Sequence, residues 1–381
     1  MSKIKLNASA QKVRTEHGVV CSFSDDFFGY FGWPTVAQTD GGVLLVAASG
    51  LRNDHVCPFG RTVICRSEDQ GMSWTSPQVV HDSPLDDRDA GLVCIDGDKL
   101  VLTWFTTDNR QRASERVAAM EDRDRARRWQ AGLAQVTDAA AERWAGAWMR
   151  HSGDAGQTWG EPQKVMLTTP HGPIRLQTGA LLFVGKHFAN MESFSSGAGP
   201  VAAMTSTDGG REWTVVGILP LCKETVENQY HEAHVCELQD GRLLALIRVE
   251  DADGHPIREA GIENFSMVQT ISEDRGRSWA RPVPLGFHGS PPHLLQHSSG
   301  VILCTYGYRK GHYGQRAMIS RDGGLSWEYD LILRDDGPDR DLGYPSSVEL
   351  ADGSVFTVYY QQERVGGQCA LLWTRWFLPD E

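Results

Sequence analysis

Short apolar runs, each preceded by a turn, recur along the whole chain. They are VLLVAAS after Asp40, DKLVLTW after Asp96, ALLFVG after Thr178, RLLALIR after Asp240, VILCTYG after Ser299 and SVFTVYY after Asp352. Runs of this length, rich in aliphatic and β-branched residues, read as buried strands, and an Asp-Gly turn between two such runs reads as a hairpin. From turn to turn the steps are 56, 82, 62, 59 and 53 residues. Each step suits one four-stranded antiparallel sheet. A second repeat runs through the same chain: Ser-x-Asp-x-Gly-x-x-Trp occurs from Ser67 to Trp74, Ser152 to Trp159, Ser206 to Trp213, Ser272 to Trp279 and Ser320 to Trp327. Its parts fit a tight turn, in which the Asp carboxylate accepts backbone N–H groups, the Gly takes a positive φ and the Trp buries its ring against the sheet.

Six hairpins with five such phrases predict an all-β, six-bladed β-propeller. A stacked solenoid is the rival arrangement, but its repeats are usually shorter. The last blade lacks the phrase, so its final strand is expected either from ALLWTRWFL near the C-terminus or from the stretch around QKVRTEHGVV, which would close the ring like a clasp. The 82-residue step holds a segment rich in Ala, Arg, Glu and Gln, with no Pro and no Gly before Gly132. Strong helix formers at this density predict one or two helices inserted into the second blade across residues 106–148. A solvated decoration, a lid over the ring and a dimer contact are the roles open to them.

Composition narrows the picture. A propeller grows by adding blades, so residues 1–381 are expected to form a single domain. The net charge of −12, from 49 acidic against 37 basic side chains, argues against nucleic acid and anionic membrane partners. No run is long enough to span a bilayer and the start MSKIKLNASAQ carries no apolar signal segment, so a cytoplasmic location is expected. The eight cysteines are scattered, and Cys65, Cys94 and Cys236 fall inside strand-like runs as buried free thiols. Neither a cofactor nor a metal is expected, because the histidines fall on separate blades without paired spacing. A homo-oligomer is possible on this composition, and a small molecule or oligosaccharide is the expected partner.

The innermost strands of a propeller begin on one face around the axis, and counting back from each turn locates those starts. The count gives Trp33, Asp89, His171, Glu232 with His234, His293 and Tyr344, a polar or aromatic residue in all six blades. The ends of the second strands supply a further ring with Arg52, Asp54, His55, Arg248 and Arg309, and Arg316 lies seven residues beyond the last of these. Several guanidinium forks around one axis read as an anion-binding pocket.

The repeated phrase is the Asp box, and the chain resembles the sialidase (neuraminidase) superfamily of Asp-box proteins over nearly its whole length. That resemblance implies an exo-glycoside hydrolase, retaining, in which a Tyr nucleophile passes its proton to a paired Glu, an exception to the two-carboxylate pattern of glycoside hydrolysis. YPSSVELADGSVFTVYYQ puts Tyr344 at the nucleophile, and HEAHVCELQDGRLLALIR supplies Glu232 and Arg248. Arg309, or Arg316 in its place, matches the third arginine of the family's carboxylate clamp. LRNDHVCPFG contains the expected acid, Asp54 by type with His55 as competitor, and Asp89 falls where the family has an Asp that contacts the sugar.

One departure stands against these matches. The family begins its first blade with Phe-Arg-Ile-Pro, and this chain reads Phe31-Gly32-Trp33-Pro34, so Gly32 stands where the first clamp arginine belongs. Arg61 or Arg88 is the available substitute, and Trp33 would offer a flat stacking surface. The implied substrate is therefore a terminal acidic or modified sugar that need not be ordinary sialic acid. Two alternatives are a lyase acting on uronate-linked sugars through His55, His171, His234 and His293, and a noncatalytic carbohydrate-binding ring.

Overall fold

The six apolar runs form the second strands of six sheets: Leu44–Arg52, Lys99–Thr107, Leu181–His187, Leu243–Val249, Ile302–Tyr308 and Val355–Gln362. Each is paired along both edges and covered on both faces, so Leu243–Val249 is buried at every position. The computed structural model describes residues 4–188 and 201–380; residues 1–3, 189–200 and 381 of the expected 1–381 unit lie outside the described residues. The sheets form a six-bladed β-propeller. The inner strands are Tyr30–Gln38, Asp86–Asp96, Ile174–Arg175, Tyr230–Glu237, Pro292–Gln296 and Gly343–Glu349, each joined to its second strand by one of the hairpins read from the sequence.

Apolar packing is divided among the seams between blades. Ala37, Leu45 and Ile64 of the first blade pack with Leu92, Leu100 and Leu102 of the second, and equivalent clusters fill the other five junctions. The Asp boxes join the third strand to the fourth in blades one to five. In the first, Asp69 Oδ1 accepts from the Ser73 N–H at 2.9 Å and from Ser67 Oγ at 2.8 Å, and the Gly71 N–H donates to Ser67 Oγ at 2.8 Å. The same contacts recur around Asp154, Asp208, Asp274 and Asp322, with a Trp indole donating to the box glycine carbonyl in the first four. The fifth indole, Trp327 Nε1, donates instead to Gln269 Oε1 of the fourth blade at 2.7 Å.

The box glycines have positive φ, and they also meet the preceding blade. A Cβ on Gly71 would stand 2.5 Å from Phe356 of the last blade, one on Gly156 2.6 Å from Leu45, and one on Gly324 2.4 Å from Leu244. The phrase thus selects glycine for close approach between blades as well as for the turn. Its tryptophans follow the expected burial only in part: Trp279 and Trp327 are buried, whereas Trp74, Trp159 and Trp213 are half-buried.

Both candidates for the closing strand are used. Cys369–Trp376 is the third strand of the sixth blade, and Thr15–Cys21 pairs with it antiparallel as the fourth. The missing sixth box now has a cause: no segment of chain links the third strand to the fourth there. A further strand, Lys5–Ala8, runs parallel to Ser326–Arg334 on the edge of the fifth blade. The insertion holds three helices, Arg110–Ala119, Arg123–Leu133 and Asp138–Trp144, one more than the upper expectation. Thr137 caps the third by accepting the Ala140 N–H through its hydroxyl, which starts a separate helix there. All eight cysteines are free thiols and seven are buried.

Candidate active site

Tyr344, Glu232 and Arg248 meet on the axial face. Tyr344 begins the inner strand of the sixth blade at φ 52, where the register with Val355–Gln362 slips between Gly343 and Ser346. Trp33 and Asp89 sit at matching bulges of the first and second blades at φ 53 and φ 52. A left-handed conformation at three non-glycine residues is strained, and the bulge turns each side chain out of the strand's alternation. The Tyr344 hydroxyl donates to Glu232 Oε1 at 2.6 Å, and Arg248 Nη1 donates to that hydroxyl at 3.1 Å and to both Glu232 oxygens at 3.0 Å. Burial alone would raise the Glu232 pKa, but Arg248, then His231 and the phenol, bring it down to about 2. Burial and the adjacent Glu232 charge push the Tyr344 phenol well above its ordinary value. A neutral phenol thus donates to an ionised carboxylate that can take its proton, with a guanidinium placed to stabilise phenolate character.

His55 approaches from the loop after the first blade's second strand. Its Nδ1 lies 2.8 Å from Asp341 Oδ1, and its ring meets the edge of Trp33 at 4.9 Å between centroids. Asp341 also accepts from Tyr30 at 3.0 Å and from Tyr360 at 3.0 Å, which fixes the carboxylate that orients the imidazole. Burial lowers the His55 pKa, and the hydrogen bond to Asp341 offsets part of that fall. Asp54 faces away. Its Oδ2 accepts from Arg116 at 2.7 Å and from Arg125, both on the inserted helices, so its carboxylate is already paired. Trp129 of the second helix donates to Asn53 Oδ1 at 2.7 Å and packs with Cys57, Ala113 and Val117. The insertion thus buttresses the loop that carries His55.

The arginines divide. Arg248 lies at the centre, and Arg309 stands over the Tyr344 ring at 5.7 Å with its Nε and Nη2 on the Leu342 carbonyl. Arg88 lies over Trp33 at 4.1 Å and donates to the His55 carbonyl at 2.9 Å. Arg61 instead binds Asp82, and Arg316 is buried against Asp330 and the Arg334 carbonyl, so neither reaches the pocket. Arg52 is likewise internal, paired with Asp86. Trp33 is 1% exposed, with guanidinium groups on its ring, and offers no face for stacking a sugar. A Cβ on Gly32 would stand 3.2 Å from the Tyr30 ring, so Tyr30 fills the direction in which a side chain at 32 would extend.

His171, His234 and His293 come together on the axis as a packed floor. Their ring centroids are 4.3 to 5.5 Å apart and all three are buried. His234 Nδ1 accepts from the Leu294 N–H at 2.9 Å and His293 Nδ1 from the Ser347 N–H at 3.2 Å, which assigns their protons to Nε2. Burial holds His234 down at about 3 and the other two well below the ordinary imidazole value. Neutral imidazoles in mutual contact do not act as separate acid and base groups, so the lyase reading loses three of its four histidines. No cluster suited to a metal ion occurs among the described residues.

Asp89 is 8% exposed, and its Oδ1 has no hydrogen-bond partner. Burial raises its pKa to about 7, with Glu232 adding to the rise. The linkage has a definite sign: the unfolded carboxyl loses its proton near its ordinary value of 3.8 and the folded one near 7, so this group's contribution to stability falls as pH rises through that window. Asp89→Asn is therefore expected to raise the unfolding midpoint at about pH 8 and to change it little at about pH 4. Thermal unfolding at both pH values checks this, and a variant no more stable than the parent at the higher pH overturns it.

The sequence reading missed Tyr30, Asp341, Glu250 and His231. Glu250 is two residues past Arg248 and Tyr30 two before Gly32, so the two-residue period of a strand was the available signal. For Asp341, 286 residues from His55, there was none.

The sequence pattern of the BNR repeat-like domain matches residues 60–357. No curated protein matches the chain by sequence. Among solved structures, a protein of unknown function from Dyadobacter fermentans DSM 18053 is similar with a TM-score of 0.73 at 20% identity, over 96% of this chain and 99% of that one. The intramolecular trans-sialidase from Ruminococcus gnavus aligns with a TM-score of 0.64 at 14% identity, over 95% of this chain and 97% of that one. The NanB sialidase from Streptococcus pneumoniae aligns with a TM-score of 0.64 at 11% identity, over 95% and 70%. At these identities the likeness is one of fold.

Proposed function

Because the chain belongs to the family of BNR repeat-like domains and folds as a sialidase-like propeller, we propose that it is a retaining exo-glycoside hydrolase with Tyr344 as its nucleophile. The observation that carries this reading is the Tyr344–Glu232 hydrogen bond of 2.6 Å with Arg248 donating to both partners. A binding ring has no need of a phenol, a carboxylate and a guanidinium in mutual contact.

In the first step the Tyr344 oxygen bonds to the anomeric carbon while its proton passes to Glu232. The bond to the leaving oxygen breaks, and that oxygen takes a proton from His55 Nε2, the imidazole being held through Nδ1 by Asp341. Water then attacks the anomeric carbon, giving a proton to His55, as the bond between that carbon and the Tyr344 oxygen breaks and Glu232 returns its proton to the departing phenolate. Two displacements at one carbon retain configuration. Turnover of a panel of aryl glycosides, with the product anomer read by NMR before mutarotation, tests this; an inverted product overturns it.

His55 supports a further expectation. His55→Ala should slow glycosides with alkoxide leaving groups by about 10²- to 10⁴-fold and spare 4-nitrophenyl glycosides, whose leaving group needs no proton. The lowered His55 pKa places the loss of kcat/KM with rising pH below the ordinary imidazole value of 6.5. Equal losses on both classes of leaving group would remove His55 as the acid.

A further inference from the structure

The cations around Tyr344 are already engaged. Arg248 Nη1 is held by Glu232 and its Nη2 donates to Glu250 Oε2 at 2.5 Å, so both ends of the guanidinium meet carboxylates of the protein itself. His231 Nε2 lies 3.2 Å from the other Glu250 oxygen. Arg309 has the edge formed by Nε and Nη2 turned onto the Leu342 carbonyl at 3.1 and 2.7 Å. Arg88 is drawn to the His55 carbonyl and to Asp86. Arg248 keeps one buried donor without a partner, Nε, but both of its Nη groups are committed to Glu232 and Glu250, and Arg309 Nη1 lies 3.4 Å from the Ser290 carbonyl, so neither guanidinium has an unoccupied pair of parallel N–H groups for a carboxylate.

One acceptor is also left over. Asp89 Oδ1 is buried without a partner beside Glu232 and Tyr344, and a buried oxygen left unpaired at a pocket calls for a group on the ligand. A sugar hydroxyl answers that need. A carboxylate would enter among Glu232, Glu250 and Asp89.

We propose that the ring bound at Tyr344 is a neutral, hydroxyl-rich glycone without a carboxylate, and that Glu250 sets this specificity by occupying the outer arm of Arg248. This rests on the glycosidase reading and supplies its substrate class. Asp89 receives a hydroxyl of the ring, and Tyr30 closes the corner beside Gly32 where a further cation would otherwise have room.

The test uses matched pairs of rings that differ only in a carboxylate, such as a glucoside and its glucuronide, together with the methyl glycoside of N-acetylneuraminic acid. Turnover of the aryl glycosides is measured with the parent protein, and calorimetric binding of the methyl glycosides with Tyr344→Phe. Neutral members are expected to be favoured by about tenfold or more, and Glu250→Gln to shrink that ratio by about tenfold by removing the charge that holds the outer arm of Arg248 and repels a carboxylate. A preference for the carboxylated member, an unchanged ratio in Glu250→Gln, or no binding by any neutral ring overturns the proposal. Hydrolysis that favours carboxylated glycosides would leave the hydrolase standing and remove the specificity. Neutral-selective binding without turnover would do the reverse.

Discussion

Tyr344→Phe is expected to lower kcat by on the order of 10⁴-fold while leaving the fold intact. The substitution removes one oxygen. The ring keeps its packing against Trp33 and Tyr360, whose centroids lie 6.4 and 6.1 Å away. Glu232 and Arg248 lose the phenol but retain each other at 3.0 Å, so no buried charge is left alone and the stability change should stay within about 1 kcal/mol. The check has three readouts: kcat on any substrate found in the aryl glycoside screen, the unfolding midpoint, and the mass of rapidly quenched parent enzyme. The last should show a glycosyl adduct on the peptide containing Tyr344. Full activity in the Phe variant would end the nucleophile assignment, whatever else the pocket does.

Arg52→Met should produce the largest loss of stability, about 3–5 kcal/mol. Arg52 and Asp86 are 0% and 1% exposed and form a two-point ion pair, with Asn109 adding a bond of 2.6 Å to the same carboxylate. Removing the guanidinium leaves Asp86 buried with only the edge of Arg88 at 3.4 Å as a cationic neighbour. Asp86→Asn in the same chain should recover part of the loss, because the uncompensated charge is then gone. Denaturant midpoints of the single and double variants check this, and equal stability of the single variant and the parent would refute it. Activity should fall too, since Arg52 Nη2 holds the His55 carbonyl at 3.0 Å.

Much of this was legible in the chain because a propeller writes its register locally. The hairpin turns and the boxes lie within a few residues of the strands they join, and counting back from Asp352 and Asp240 reached Tyr344 and Glu232. The same count misassigned Trp33, His171, His234 and His293. It located them on the axis but carried nothing of their packing, and the three histidine rings lie against one another, whereas Trp33 lies under two guanidinium groups. Asp54 and His55 are adjacent in sequence and part company in space because Arg116 and Arg125, from helices inserted in another blade, pull one of them aside. The identity of the acid thus depended on contacts that local patterns do not encode. Gly32 was read as a missing arm; with Tyr30 and Glu250 in view it belongs to a pocket whose remaining arms are engaged as well.

The closing strand ties chemistry to the order of folding. Thr15–Cys21 can find Cys369–Trp376 only after almost all of the chain between them exists, so the ring stays open during synthesis however early the first blades form. Tyr344 leads the last blade and packs on Trp33 of the first, whereas Glu232 arrives with the fourth. Every partial product of translation that ends before Tyr344 therefore lacks a complete nucleophile pair, and one that ends before Cys369 lacks the strand that shuts the ring, so the first turnover by a newly made molecule would be a clock for that closure.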